Sequence, residues 1–179
     1  MLRFHRALWN REQIAEGVAL AARALSSRRV GPYTLRAALA AVHAQAPSPT
    51  ATDWAQIVGL YDRLVQVVPS PVVALHRAVA VAMRDGPHAG LALIDPILAR
   101  GDLADSPWAH AARADLCQRL GQTAEARTSY TRALALTQQE PERRLLARRL
   151  AALSTCNLTW VCPVRRPDVD GERCHTTRE

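Results

Sequence analysis

GQTAEARTSYTRAL, residues 121–134, is the stretch that decides the fold. Gly121, Ala126, Tyr130, Ala133 and Leu134 follow one another in it as G-x4-A-x3-Y-x2-A-L. The glycine supplies a turn, the alanines fall on one stripe at helical spacing, and the tyrosine on that stripe is a wedge between crossing helices. This predicts the second helix of a hairpin, with Thr123 as its cap. The first helix lies just upstream: Ser106 and Pro107 read as an N-cap and a first-turn proline, and Trp108, Ala112 and Leu116 carry the apolar side to Leu120.

The same register returns earlier in the chain. Gly86 lies 35 residues before Gly121, Tyr61 lies 69 before Tyr130, and Pro69 follows Tyr61 by eight. These are close to integer steps of a tetratricopeptide period of about 34. The predicted fold class is therefore all-α: tetratricopeptide-like helical hairpin repeats forming a right-handed α-solenoid, with flanking N- and C-terminal helices. The hairpins are expected at 32–69, 71–99 and 106–136. The N-terminal helix is expected from Arg6 to Ser26, with Leu8, Ala15, Val18, Ala22 and Leu25 inward, and the C-terminal helix from near Pro141, with Leu146, Leu150 and Leu153 on one face. Pro32, Pro71 and Pro87 open helices, and Asp53 is a cap or first-turn acid. Pro96 falls inside the predicted fifth helix and should kink it or end it near Asp95, because proline removes a backbone hydrogen bond.

Composition narrows the reading. A chain of 179 residues with 49% hydrophobic and 4% aromatic residues builds one domain whose core is alanine and leucine. That domain is expected over residues 1–153, followed by a disordered tail at 154–179 that is aperiodic and rich in turn formers. All 23 basic residues are arginines. The positive charge sits at the ends: residues 1–30 hold six arginines against two glutamates and residues 141–153 four against one, while 31–140 balance nine against nine. No basic patch is interleaved with aromatics and no recognition-helix pattern appears, so direct DNA binding is not expected.

No apolar run approaches the roughly 18 residues a bilayer demands and no signal peptide is visible, so the expected location is cytoplasmic, with no membrane partner. No phosphate-cradling glycine loop, nucleophile elbow or metalloprotease helix occurs, so neither catalysis nor a cofactor is expected. Cys156, Cys162, Cys174 and His175 do not have the paired spacing of a zinc site, and no metal is expected.

Six strings carry a resemblance: GPY at Gly31–Tyr33, TDW at Thr52–Trp54, PSPVVAL at Pro69–Leu75, RAVAVA at Arg77–Ala82, HAARADL at His110–Leu116 and ERRLLARRL at Glu142–Leu150. Together they resemble the C-terminal tetratricopeptide-like extension of bacterial extracytoplasmic function sigma factors, over roughly residues 6–153. The chain departs from that pattern at His76, where an asparagine is typical, and from Ser154 onward. The resemblance implies a protein-binding regulatory module of an RNA polymerase sigma factor, acting in transcription initiation without promoter-binding regions of its own. The implied partners are the RNA polymerase core or the sigma regions. A truncated or frame-shifted gene copy would account for the missing front and the unfamiliar tail together. A stand-alone tetratricopeptide-like interaction scaffold unrelated to polymerase is the alternative.

Candidate partner-binding residues come from the repeat phase. His43, His76 and His110 are separated by 33 and 34 residues, which in a solenoid places them near one position of successive first helices. Arg77 and Arg113 follow in the same helices. Their guanidinium forks suit either a partner's carboxylates or ion pairs within the scaffold, with Asp62 and Asp115 as the internal candidates.

Overall fold

The protein's computed structural model describes residues 9–27 and 30–155. Eight α-helices occur among the described residues: α1 (Arg11–Leu25), α2 (Pro32–Gln45), α3 (Trp54–Val67), α4 (Pro71–Asp85), α5 (Pro87–Ala99), α6 (Pro107–Arg119), α7 (Thr123–Leu136) and α8 (Glu140–Thr155), with a 3₁₀ turn at Pro49–Ala51. Consecutive helices pack as antiparallel pairs in a repeat-like, all-α arrangement.

Local chemistry sets the ends. Asn10 is extended and its Oδ1 accepts from the amides of Glu12 and Gln13 at 3.0 and 3.2 Å, satisfying two otherwise unpaired donors. Trp9 and Asn10 are not helical, so α1 begins at Arg11, and the predicted start at Arg6, with Leu8, lies outside the described residues. Its inward residues are Ile14, Val18 and Ala21, a stripe turned from the predicted one, since Ala15 and Ala22 face solvent. Asp53 and Ser106 cap α3 and α6 as expected, accepting from Gln56 N at 2.9 Å and Ala109 N at 3.4 Å. Thr123 is not the cap of α7. Gln122 holds that position, and the Thr123 hydroxyl turns back to donate to the Gly121 carbonyl. Gly86 (φ 99°) and Gly121 (φ 75°) take positive φ in the α4–α5 and α6–α7 connections, where a Cβ would be strained.

Pro96 does not end α5, which continues to Ala99. The carbonyl that loses its partner belongs to Ala92, and Ala92 and Pro96 both lie on the exposed side, open to solvent; Ile97, 4% exposed, anchors the following turn.

Pairing is strongest between α6 and α7 and between α4 and α5, the second and third predicted hairpins. The first, α2 with α3, is not singled out: α2 lies more extensively against α1, and α3 against α4. The connections explain this. A single glycine joins α4 to α5, whereas α2 and α3 are separated by Ala46–Asp53 with two prolines.

Two clusters form the core. One spans α4 to α8 around Tyr130, Ile94, Cys117 and a set of alanines; the other spans α2 to α4 around Leu35, Ile57 and Leu64, and Leu93 packs against both. Trp108, predicted to be on the apolar side of its helix, is instead 60% exposed, because Ala109, Ala114, Leu116 and Cys117 fill the buried face of α6. No described helix is long and apolar enough to cross a membrane.

Candidate partner-binding groove

α6 and α8 flank an open groove of about 670 Å³. From α6 it receives Trp108, Ala112 and Asp115, which fall on one side at steps of three and four; α8 contributes Leu145, Arg148 and Arg149. The alanine leaves room between the helices, and Trp108 stands exposed at one end.

A polar cluster closes one wall. Tyr130 on α7 is fully buried, and its hydroxyl donates to the Asp115 carboxylate with Gln118 Oε1 3.1 Å away. Arg149 donates to the same carboxylate and lies 3.4 Å from the Tyr130 hydroxyl. Burial, then the hydrogen bond to Asp115 and its charge, push the Tyr130 pKa up to about 12, with Arg149 acting in the opposite sense. Burial opposes the charge on Arg149, but the Asp115 hydrogen bond and charge outweigh it and raise the guanidinium further. Three helices are thereby tied at one carboxylate.

Arg149 completes a series. Arg77, Arg113 and Arg149 stand 36 residues apart on α4, α6 and α8, with side chains 34%, 26% and 27% exposed. Arg77 Nε meets Asp62 on α3 at 2.5 Å, as one internal pairing predicted. Arg113 does not take Asp115, two residues along its own helix and turned away from it; it donates to Asp95 at 2.8 Å and to the buried Ser129 hydroxyl at 2.9 Å. Each arginine ties its own helix to a neighbour.

The three histidines do not share one environment. His43 sets its ring edge-on to Trp54 with centroids 5.6 Å apart, and His76 tilts against Tyr61 at 6.2 Å. Trp54 and Tyr61 are seven residues apart on α3, so α2 and α4 each place a histidine on one face of that helix. Partial desolvation lowers the His76 pKa below the ordinary imidazole value. His110 Nε2 lies 2.8 Å from the Ala104 carbonyl; a carbonyl only accepts, so this nitrogen carries the proton and ties the turn before α6 to the helix.

The groove residues Trp108, Arg148 and Arg149 were missed by the sequence reading. Their signal was present as a 36-residue step, which relates Val72 to Trp108 and Arg144, His76 to Ala112 and Arg148, and Arg77 to Arg113 and Arg149. Val72 and Trp108 are both exposed apolar side chains, at 48% and 60%, so the step carries an exposure pattern as well as residue types. Among the described residues no three His, Cys, Asp or Glu side chains converge as metal ligands. Cys156, Cys162, Cys174 and His175 lie outside the described residues, as does nearly all of the predicted disordered tail.

A stretch of 137 residues, 76% of this chain, is 45% identical to an uncharacterized protein of Rhizobium meliloti (strain 1021) and covers 32% of that protein. The chain thus spans about a third of that relative's length. No protein-family model matches the chain, and no solved structure does.

Proposed function

We propose that this chain is a protein-binding regulatory module of an extracytoplasmic function sigma factor, acting in transcription initiation through the RNA polymerase core or the sigma regions. In this reading the paired helices form a tetratricopeptide-like right-handed solenoid whose first helices, α2, α4 and α6, carry the binding surface, with the flanking α8 extending it. The observation that supports it most is the open groove between α6 and α8, with an exposed tryptophan and arginines where a closed helical domain would pack its helices together. The six matching strings connect that surface to sigma factors. The module does no chemistry, needs no cofactor, and leaves DNA contact to other regions.

The test is an affinity purification of the full chain with lysate of its host, scored for polymerase core subunits and sigma regions by mass spectrometry. Specific recovery of either is the expected result. A folded chain that recovers neither overturns the assignment to polymerase and leaves the stand-alone scaffold.

A further inference from the structure

The groove between α6 and α8 also has a chemical preference, and this inference rests on the reading of that groove as a binding surface. We infer that its occupant is an acidic segment of a partner protein, an apolar side chain packing against Trp108 and Leu145 and carboxylates meeting Arg148 and Arg144 along α8.

The charge balance argues for this. Three arginines, Arg144, Arg148 and Arg149, and two acids, Asp115 and the half-buried Glu142, line the groove, which leaves an excess of one positive charge. Asp115 is already engaged by Arg149 and Tyr130, and Arg144 by Glu140 at 2.8 Å on the rim. Arg148 is exposed and makes no ion pair among the described residues. It lies one helical turn after Arg144, so the two present adjacent forks along one edge. The pairing of Arg144 with Glu140 is exposed and readily exchanged, with both side chains more than 60% accessible.

The lining beside these cations is apolar: Trp108, Ala111, Ala112, Leu145 and Leu146. A carboxylate with an apolar neighbour satisfies both features at once. A nucleic-acid backbone satisfies only one, since phosphates gain nothing from the aliphatic floor. The 36-residue step extends the surface toward α4, where Val72 holds the place of Trp108 and His76 that of Arg148. A longer occupant would meet fewer cations there, so its acidic end belongs over α8.

The probe is a phage-displayed library of random 16-residue peptides, selected on the full-length chain and re-bound to Arg148→Glu and Trp108→Ala variants. Both substituted side chains are exposed, and circular dichroism of each variant checks that the fold is kept. We expect selected peptides to be enriched in Asp and Glu beside Leu or an aromatic, with affinity at least tenfold lower on Arg148→Glu. Salt should weaken binding only moderately. Peptides without acidic enrichment, or equal affinity for the variants, overturn the inference. So does displacement of the selected peptides by a short DNA duplex whose own binding is lost in Arg148→Glu.

The polymerase purification repeated with Arg148→Glu separates this claim from the functional one. Undiminished recovery sinks the groove preference alone. Acidic peptides that bind a chain recovering no polymerase sink the functional assignment alone.

Discussion

Between α4 and α8 six of the 14 buried cluster residues are alanine, whereas between α2 and α4 only one of nine is, and Leu, Ile and Val make up the rest. Small residues let helix backbones approach until their main chains set the spacing; branched residues hold helices apart and fill the gap themselves. The extreme case is Gly90, where an added Cβ would stand 2.4 Å from the Ala82 Cβ and 2.8 Å from a Leu116 methyl. The C-terminal region is therefore built on close approach and a single large wedge, Tyr130. The N-terminal region depends on the volume of several comparable side chains.

Truncating the wedge should have the largest effect. Tyr130→Ala removes a fully buried ring and leaves Asp115 and Arg149 without their hydroxyl partner, and about 4 kcal/mol of stability should be lost. Ile57→Ala, equally buried but among residues able to collapse into its place, should cost about 2–3 kcal/mol. Urea unfolding measures both. Amide exchange sharpens the contrast: Ile57→Ala should speed exchange in α2 and α3 while sparing α6 and α7, since helical repeats couple chiefly to their neighbours. Uniform acceleration along the chain would show the two clusters to be one cooperative unit.

Gly90→Ala probes close approach directly. Helix propensity favours alanine by about 1 kcal/mol, but overpacking costs about 1–3 kcal/mol, and the nearest obstacle is a Cβ fixed to the α4 backbone, which cannot swing aside. A net loss of about 1 kcal/mol is expected, read as a lower urea midpoint. The same substitution at Gly59, where a Cβ would meet nothing within 4 Å, should raise the midpoint.

Much of this architecture was legible because proline, glycine and capping residues act locally. Pro71, Pro87, Ser106 with Pro107, and Gly121 mark helix ends by their own backbone requirements, and the structure places them there. What periodicity did not show depends on which helix comes to lie opposite. Trp108 sits on an apolar stripe in sequence, yet the inward side of α6 is fixed by α4, α5 and α7, and alanines win it. Likewise Asp115 is near Arg113 in sequence, but residues two apart on a helix point apart; Asp95, on the packed neighbour, is the one within reach. The arginine series repeats at a step of 36, out of phase with the histidine steps of 33 and 34, so the two series do not mark one common position.

The Tyr130 cluster also gives the C-terminal region a distinct alkaline response. An unfolded tyrosine titrates near 10, and Tyr130 in the fold near 12, so the folded state keeps its proton where the unfolded chain has lost it. The stabilisation is whole below pH 10 and disappears as pH rises to about 12. Urea midpoints at pH 9 and pH 11.5 should fall more steeply for the native chain than for Tyr130→Phe, which has nothing to titrate there. Parallel slopes would mean that the hydroxyl is already solvated in the fold.

Effects along the arginine series run down to the smallest expected here, and their order separates a repeated ornament from a structural tie. Asp62→Asn and Asp95→Asn each weaken an ion pair whose acid is nearly half exposed, and water and salt already screen such pairs, so about 0.5 kcal/mol or less should be lost. Asp115 is as exposed as these, at 44%, but it joins α6 to both α7 and α8 and is the acceptor for a fully buried hydroxyl. Its amide replaces a charged acceptor by a neutral one in two bonds at once, so Asp115→Asn should cost about 1–2 kcal/mol. Equal losses at all three positions would reduce the series to surface pairing. A larger loss at Asp115 alone locates the tie where the last helix meets the groove, and α8 should then loosen first, taking Arg148 and the acidic-peptide affinity with it.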